Sequence, residues 1–227
     1  MKKYNSNIII FLFVVIIQNV FFYYIRLNPF SYLIGFNLEI LPFFSVYTLL
    51  LIAPTVMIIF LFNETISNYL HGYGTLLIVR EYSKYKILMK IQLNSFVVIS
   101  ILSFLEMLPS IVVYRSLPLS NIYKALIIYI IGSFALVLLE FYLEMFIQSQ
   151  YLSLILCGYL LFSYFAKKIA VDNILIQILF FPSMLFEGYN KVTGAGLDFN
   201  KSILILLFII VALISLNLRK FKTKDIL

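Results

Sequence analysis

Three carboxylates stand where few are tolerated: Glu106, Glu140 and Glu144 each interrupt a run of apolar residues. A charge held in hydrocarbon costs at least about 2.5–3.5 kcal/mol, so an acid at such a depth is retained for a reason. Glu140 and Glu144 are one helical turn apart and share a face if that run is a helix. Three kinds of chemistry fit: a structural pairing or protonated interhelical hydrogen bond, the lining of a transport path, or a proton relay in which burial tunes the carboxyls. The depths of the three differ. Glu140 and Glu144 fall toward the inner end of the fourth apolar run and Glu106 toward the outer half of the third, which argues against one shared site.

Other chemistries lack their residues. Metal-dependent proteolysis within membranes generally needs a His-Glu-x-x-His type of cluster, and the chain has one histidine, His71, in a loop. The same histidine is poorly placed as the base for a serine nucleophile. The single cysteine, Cys157, lies in an apolar run and reads as a core thiol, with no second cysteine for an internal disulfide. Gly194-x-Gly196-x-x-x-Asn200-Lys201-Ser202 ends like a phosphate-binding loop, but Ala195 and Asn200 occupy the positions of its required glycines and no strand precedes it. No catalytic, cofactor-binding or metal-ligating residues are therefore assigned, and any ATP hydrolysis belongs to another chain.

The elements that must position the acids follow from composition. Of 227 residues, 63% are hydrophobic and 12% charged, against about a quarter charged in ordinary globular chains. A soluble fold of this length could not hide so much apolar surface. Lipid offers no partner for backbone amides, so long apolar runs without alternating polarity read as helices rather than barrel strands. The expectation is an all-α integral membrane protein, a single domain over 1–227. Its six transmembrane helices run over about 8–25, 40–62, 93–114, 125–147, 151–170 and 202–218. The first run follows Lys2 and Lys3 as in a signal peptide, but it is long enough to span and no small-residue cleavage site closes it, so it reads as a retained helix. Residues 171–186, with Asp172, Asn173 and Pro182, suit a re-entrant or interfacial segment better than a seventh crossing.

Six crossings put the basic tail, Arg219, Lys220, Lys222 and Lys224, on the side of Lys2 and Lys3. With both termini cytoplasmic, ten cations lie inside and seven outside, in the direction that orients membrane proteins. That topology accounts for the formal charge of +7 without a nucleic-acid partner. The 17 Tyr and 23 Phe suit interfacial belts, with Tyr23, Tyr24, Tyr114, Tyr123 and Tyr151 near run ends, or a greasy pathway.

Two connections are long. The outer one, Lys167 to Lys201, holds the re-entrant candidate. The inner one, Asn63 to Gln92, carries Ile66, Tyr69, Leu70 and Tyr73 at helical spacing, then Gly72 and Gly74 for a turn. It reads either as a loop whose cations anchor two helix ends to lipid phosphates or as a short surface helix that docks a soluble partner.

The stretch Gly72-x-Gly74-Thr75-Leu76-Leu77-x-x-Arg80-x-x-Ser83-Lys84, followed by Lys90 at the start of the third helix, resembles the segment after the second helix in permeases of the type 2 ABC export family. The motif covers about His71 to Lys90, while the likeness of layout covers the whole chain. The resemblance implies a cytoplasmic coupling helix between helices 2 and 3 and re-entrant helices between helices 5 and 6. It further implies docking of a cytoplasmic ABC ATPase on Ile66, Tyr69, Leu70, His71, Gly72, Tyr73, Gly74, Thr75 and Arg80, with ATP and Mg bound by that partner and no cofactor in this chain. The permease would pair with itself or a similar chain in the bacterial cytoplasmic membrane and export a peptide, lipid or drug-like amphiphile. Only about seven residues precede the first run, whereas many members begin with an amphipathic interface helix; small permeases from peptide-export or self-protection clusters are the nearer likeness. A stand-alone proton-coupled carrier or an immunity-type membrane protein is the alternative.

Overall fold

The computed structural model describes residues 2–24, 46–71, 83–113, 119–169, 174–185 and 199–223. All regular structure in them is helical. In chain order the elements are α1 (Lys2–Tyr24), α2 (Val46–Phe62), α3 (Thr65–His71), α4 (Lys84–Val113), α5 (Leu119–Glu144), α6 (Ser149–Ile169) and α7 (Ile174–Leu179), then a 3₁₀ turn (Phe181–Leu185) and α8 (Phe199–Thr223). Three stretches are long and apolar enough to cross a membrane: Lys84–Leu108, Tyr123–Glu144 and Phe199–Thr223. Asn7–Phe21 and Ser149–Ser163 are apolar but shorter. The chain thus has the helices of a membrane protein.

The third apolar run was expected from Leu93, yet α4 begins nine residues earlier, at Lys84. Its opening turns are amphipathic: Ile87, Leu88 and Ile91 are buried while Tyr85, Lys86, Met89 and Lys90 are exposed. Helical spacing puts the first set on one face, and a search for unbroken apolarity passes over such a pattern. Lys90 therefore lies inside the helix rather than at its start. The fourth run was expected to reach Ile147, but α5 ends at Glu144. Turn bonds from Phe146 N–H and Ile147 N–H to Leu143 O, both 2.9 Å, close it before α6.

Contacts between helices fix their directions. Asn7 near the start of α1 donates from Nδ2 to Phe60 O near the end of α2, 3.5 Å away, so these two are antiparallel. Phe62 at the end of α2 meets Phe141 near the end of α5 edge-on, centroids 6.2 Å apart. α8 runs parallel to α5. At one end Lys124 Nζ lies 5.6 Å from the centre of the Phe199 ring. At the other, Asn217 Nδ2 donates to Leu138 O at 2.9 Å and Lys220 Nζ lies 4.5 Å from the centre of the Phe146 ring. The start of α4 shares a cleft with Leu218 and Phe221, antiparallel to α8. The start of α1 and the end of α8 consequently share one end of the bundle with α3, the start of α4, the end of α5 and the start of α6.

Residues 174–185 fold back toward the middle of the bundle. Tyr159, halfway along α6, donates its hydroxyl to Leu179 O at 2.5 Å. Phe181 to Leu185 are all buried, packed against α5 and α6. Gly132, halfway along α5, makes room for this: a Cβ there would stand 2.7 Å from Leu185 Cδ2. Overpacking a well-filled contact costs about 1–3 kcal/mol. Gly132→Leu should therefore loosen residues 181–185 and lower the thermal midpoint in detergent, with faster hydrogen exchange at Phe181–Leu185 as the local readout.

Candidate functional site

The short helix α3 begins where α2 ends, after a two-residue turn. Asn63 N–H closes α2 on Ile59 O at 3.1 Å, and Glu64 takes φ 68°, a left-handed conformation that costs a non-glycine residue about 1–2 kcal/mol. The reversal lays α3 across the shared end of the bundle, against α5.

A helix leaves its first amides without partners. In α3 they are met by an acid remote in sequence: Glu144 Oε2, at the last residue of α5, accepts from Ile66 N–H at 2.7 Å and Ser67 N–H at 3.3 Å. A carboxylate at a helix N-terminus is favoured by both hydrogen bonding and the helix dipole. Ile66 is fully buried beneath it. Its side chain anchors α3 to the bundle, while Asn68 is exposed and Tyr69 half-buried. The backbone of Leu70 and His71 completes α3. Gly72, Tyr73, Gly74, Thr75 and Arg80 lie outside the described residues.

The other two acids sit apart. Glu140, one turn before Glu144, is fully buried, and neither of its carboxyl oxygens has a hydrogen-bond partner. Glu106 on α4 bonds to Tyr129 on α5, whose hydroxyl stands 3.1 Å from Thr55 Oγ1 on α2. That chain of side chains ties three helices together about 22 Å along α5 from Glu144. Glu106 and Glu144 are therefore well separated along the bundle. Among the described residues no group of three or more His, Cys, Asp and Glu is arranged to hold a metal ion.

Sequence reasoning passed over a cleft of about 620 Å³ beside α3. Neutral polar side chains from α1, α3, α4 and the turn before α3 line it, including Asn7, Asn63, Thr65, Asn68, Asn94 and Ser95. Asn63 Oδ1 and Thr65 Oγ1 are buried there without partners. The signal was present as asparagines interrupting the ends of three apolar runs, but nothing local says that they converge.

A family model described as a protein of unknown function, DUF2705, matches residues 11–227. The chain belongs to the DUF2705 family. No curated protein and no solved structure matches it. Membership of DUF2705 names no activity, so function is argued from geometry.

Removing the acceptor from a buried amide costs about 1–3 kcal/mol. Glu144→Ala should accordingly speed hydrogen exchange at the Ile66 and Ser67 amides by roughly 10- to 100-fold. Glu144→Gln, which keeps an oxygen acceptor, should change it less. Equal exchange in all three proteins would show that the contact does not hold α3.

Proposed function

We propose that this DUF2705 chain is the membrane-spanning subunit of an ATP-driven exporter, worked by a separate cytoplasmic ATPase that binds the ATP and Mg. The observation that carries the reading is the grip of Glu144 on the first turn of α3. A push on α3 from a partner would pass through those hydrogen bonds and buried Ile66 into α5, the helix against which α2, α4, α6 and α8 all pack. The resemblance of residues 71–90 to the coupling segment of type 2 ABC export permeases supports the same assignment.

Topology supports it as well. Six helices of alternating direction would make six crossings with both termini on one side. Lys2, Lys3, Lys84, Lys86, Lys90, Arg219, Lys220 and Lys222 belong to the end that carries α3, and they are eight of the twelve Lys and Arg among the described residues. The positive-inside rule makes that end cytoplasmic, in the bacterial cytoplasmic membrane. Residues 174–185 would then enter the membrane from outside as a re-entrant pair. The docking surface is Asn68, Tyr69 and the segment to Arg80, and the neutral cleft beside α3 would change shape whenever α3 moves. Pairing with itself or a similar permease would form the path for an amphipathic peptide, lipid or drug-like cargo.

Glu140 favours a second reading, a proton-coupled carrier, because its carboxyl is buried with neither oxygen partnered. Co-expression with neighbouring genes distinguishes the two: the exporter should copurify with an ATPase, and Asn68→Trp should weaken that capture. Capture of no ATPase, with transport that ignores ATP and is lost in Glu140→Gln, would replace the exporter by the carrier. Reporter tags at Ser83 and after Thr223 should both report from the cytoplasm.

A further inference from the structure

Where α4 begins and α8 ends, a second cleft of about 410 Å³ opens at the shared end of the bundle. Lys84, Arg219 and Lys222 line it, and among the described residues that line it none is acidic. Beneath these cations the wall is apolar: Leu88 and Phe221 are buried, and Leu218 is half-buried. Arg219 and Lys222 are exposed, so their charge is available at the mouth. The site is thus cationic at its rim and greasy below it, at the terminus of two helices long and apolar enough to cross a membrane.

We propose that this cleft holds the headgroup of an anionic phospholipid, with its phosphodiester among Lys84, Arg219 and Lys222 and its acyl chains along α4 and α8. Position, charge and apolarity point to one ligand together. Basic pockets between membrane helices bind anionic headgroups, each Lys or Arg contributing about a fivefold gain in affinity. A guanidinium adds two-pronged bonding to phosphate oxygens. A free phosphate would use the rim but gain nothing from Leu88, Leu218 and Phe221. The binding does not require the exporter assignment, since it rests only on these two helix ends.

The test uses the purified full chain in detergent, titrated with dioleoyl phosphatidylglycerol, dioleoyl phosphatidylcholine or inorganic phosphate, with retained lipid counted by native mass spectrometry and stability followed by thermal midpoint. Phosphatidylglycerol should bind and stabilise, and the other two should not. Lys84→Gln, Arg219→Gln and Lys222→Gln together should weaken phosphatidylglycerol binding by on the order of 100-fold. Lys86→Gln with Lys90→Gln, exposed cations outside the cleft, should leave it nearly unchanged. Should the triple variant fail to fold, the three single substitutions, each expected to lose about fivefold, make the same comparison. Equal binding of phosphatidylcholine, equal protection by inorganic phosphate, wild-type affinity in the cleft variants, or an equal loss in the Lys86/Lys90 variant would each overturn the proposal.

Discussion

The bundle depends on the burial of α5 from almost every side. From Ser133 to Leu138 six consecutive residues are buried, as are Glu140 and Phe141. A helix this apolar around its circumference has no face to give to water, and its neighbours supply the missing surface. α8, α4, α2, α6, α3 and the 3₁₀ turn all pack against it. With no cohesive force from water between helices in lipid, association relies on close packing and interhelical hydrogen bonds. α5 carries both: the Gly132 approach to Leu185, the Leu138 carbonyl bonded by Asn217, the Tyr129 link to Glu106 and Thr55, and Glu144 on α3.

The polar links on α5 are spaced along its length, and the spacing divides the molecule. Near Tyr129 the network joins α2, α4 and α5 by side chains alone, which resists sliding of one helix past another. At Glu144 the bond runs from a side chain to the backbone of another element, and a backbone partner moves as a unit with its helix. The first arrangement joins helices through their side chains, while the second fixes the backbone of α3 to α5. Glu140 lies between them with no hydrogen-bond partner on either oxygen, so a displacement at Glu144 would alter its surroundings first.

Much of the helical layout could be read directly from hydropathy, because an apolar run must satisfy its own backbone and its length says how far it reaches. Residues 174–185 were legible as something other than a long helix for the same reason: Pro182 and a short apolar stretch cannot make one. What escaped was structure whose signal is not local. The opening turns of α4 alternate cations with Ile87, Leu88 and Ile91, a pattern whose meaning depends on a neighbour being present to cover one face. The tie between Glu144 and Ile66 joins residues 78 positions apart. From sequence Glu144 is one of three costly acids, and only the fold shows that α3 supplies amides for it. The burial of Ile66 escaped for a related reason, since helical spacing identifies an apolar face without saying what covers it.

The shared end of the bundle concentrates opposite electrostatic tasks within a short distance. A carboxylate is held at the N-terminus of α3, while eight Lys and Arg among the described residues belong to the same end. If those cations were arranged around Glu144 they would compete with the Ile66 and Ser67 amides for it. Lys84, Arg219 and Lys222 line a separate cleft between α4 and α8, and Lys220 lies over the Phe146 ring. An aromatic face satisfies a cation without consuming an acceptor. The segregation leaves Glu144 to the backbone of α3 and keeps the basic cleft apart from it. At one end of the molecule, α3 is tied to the bundle through an acid while α4 and α8 carry a basic cleft.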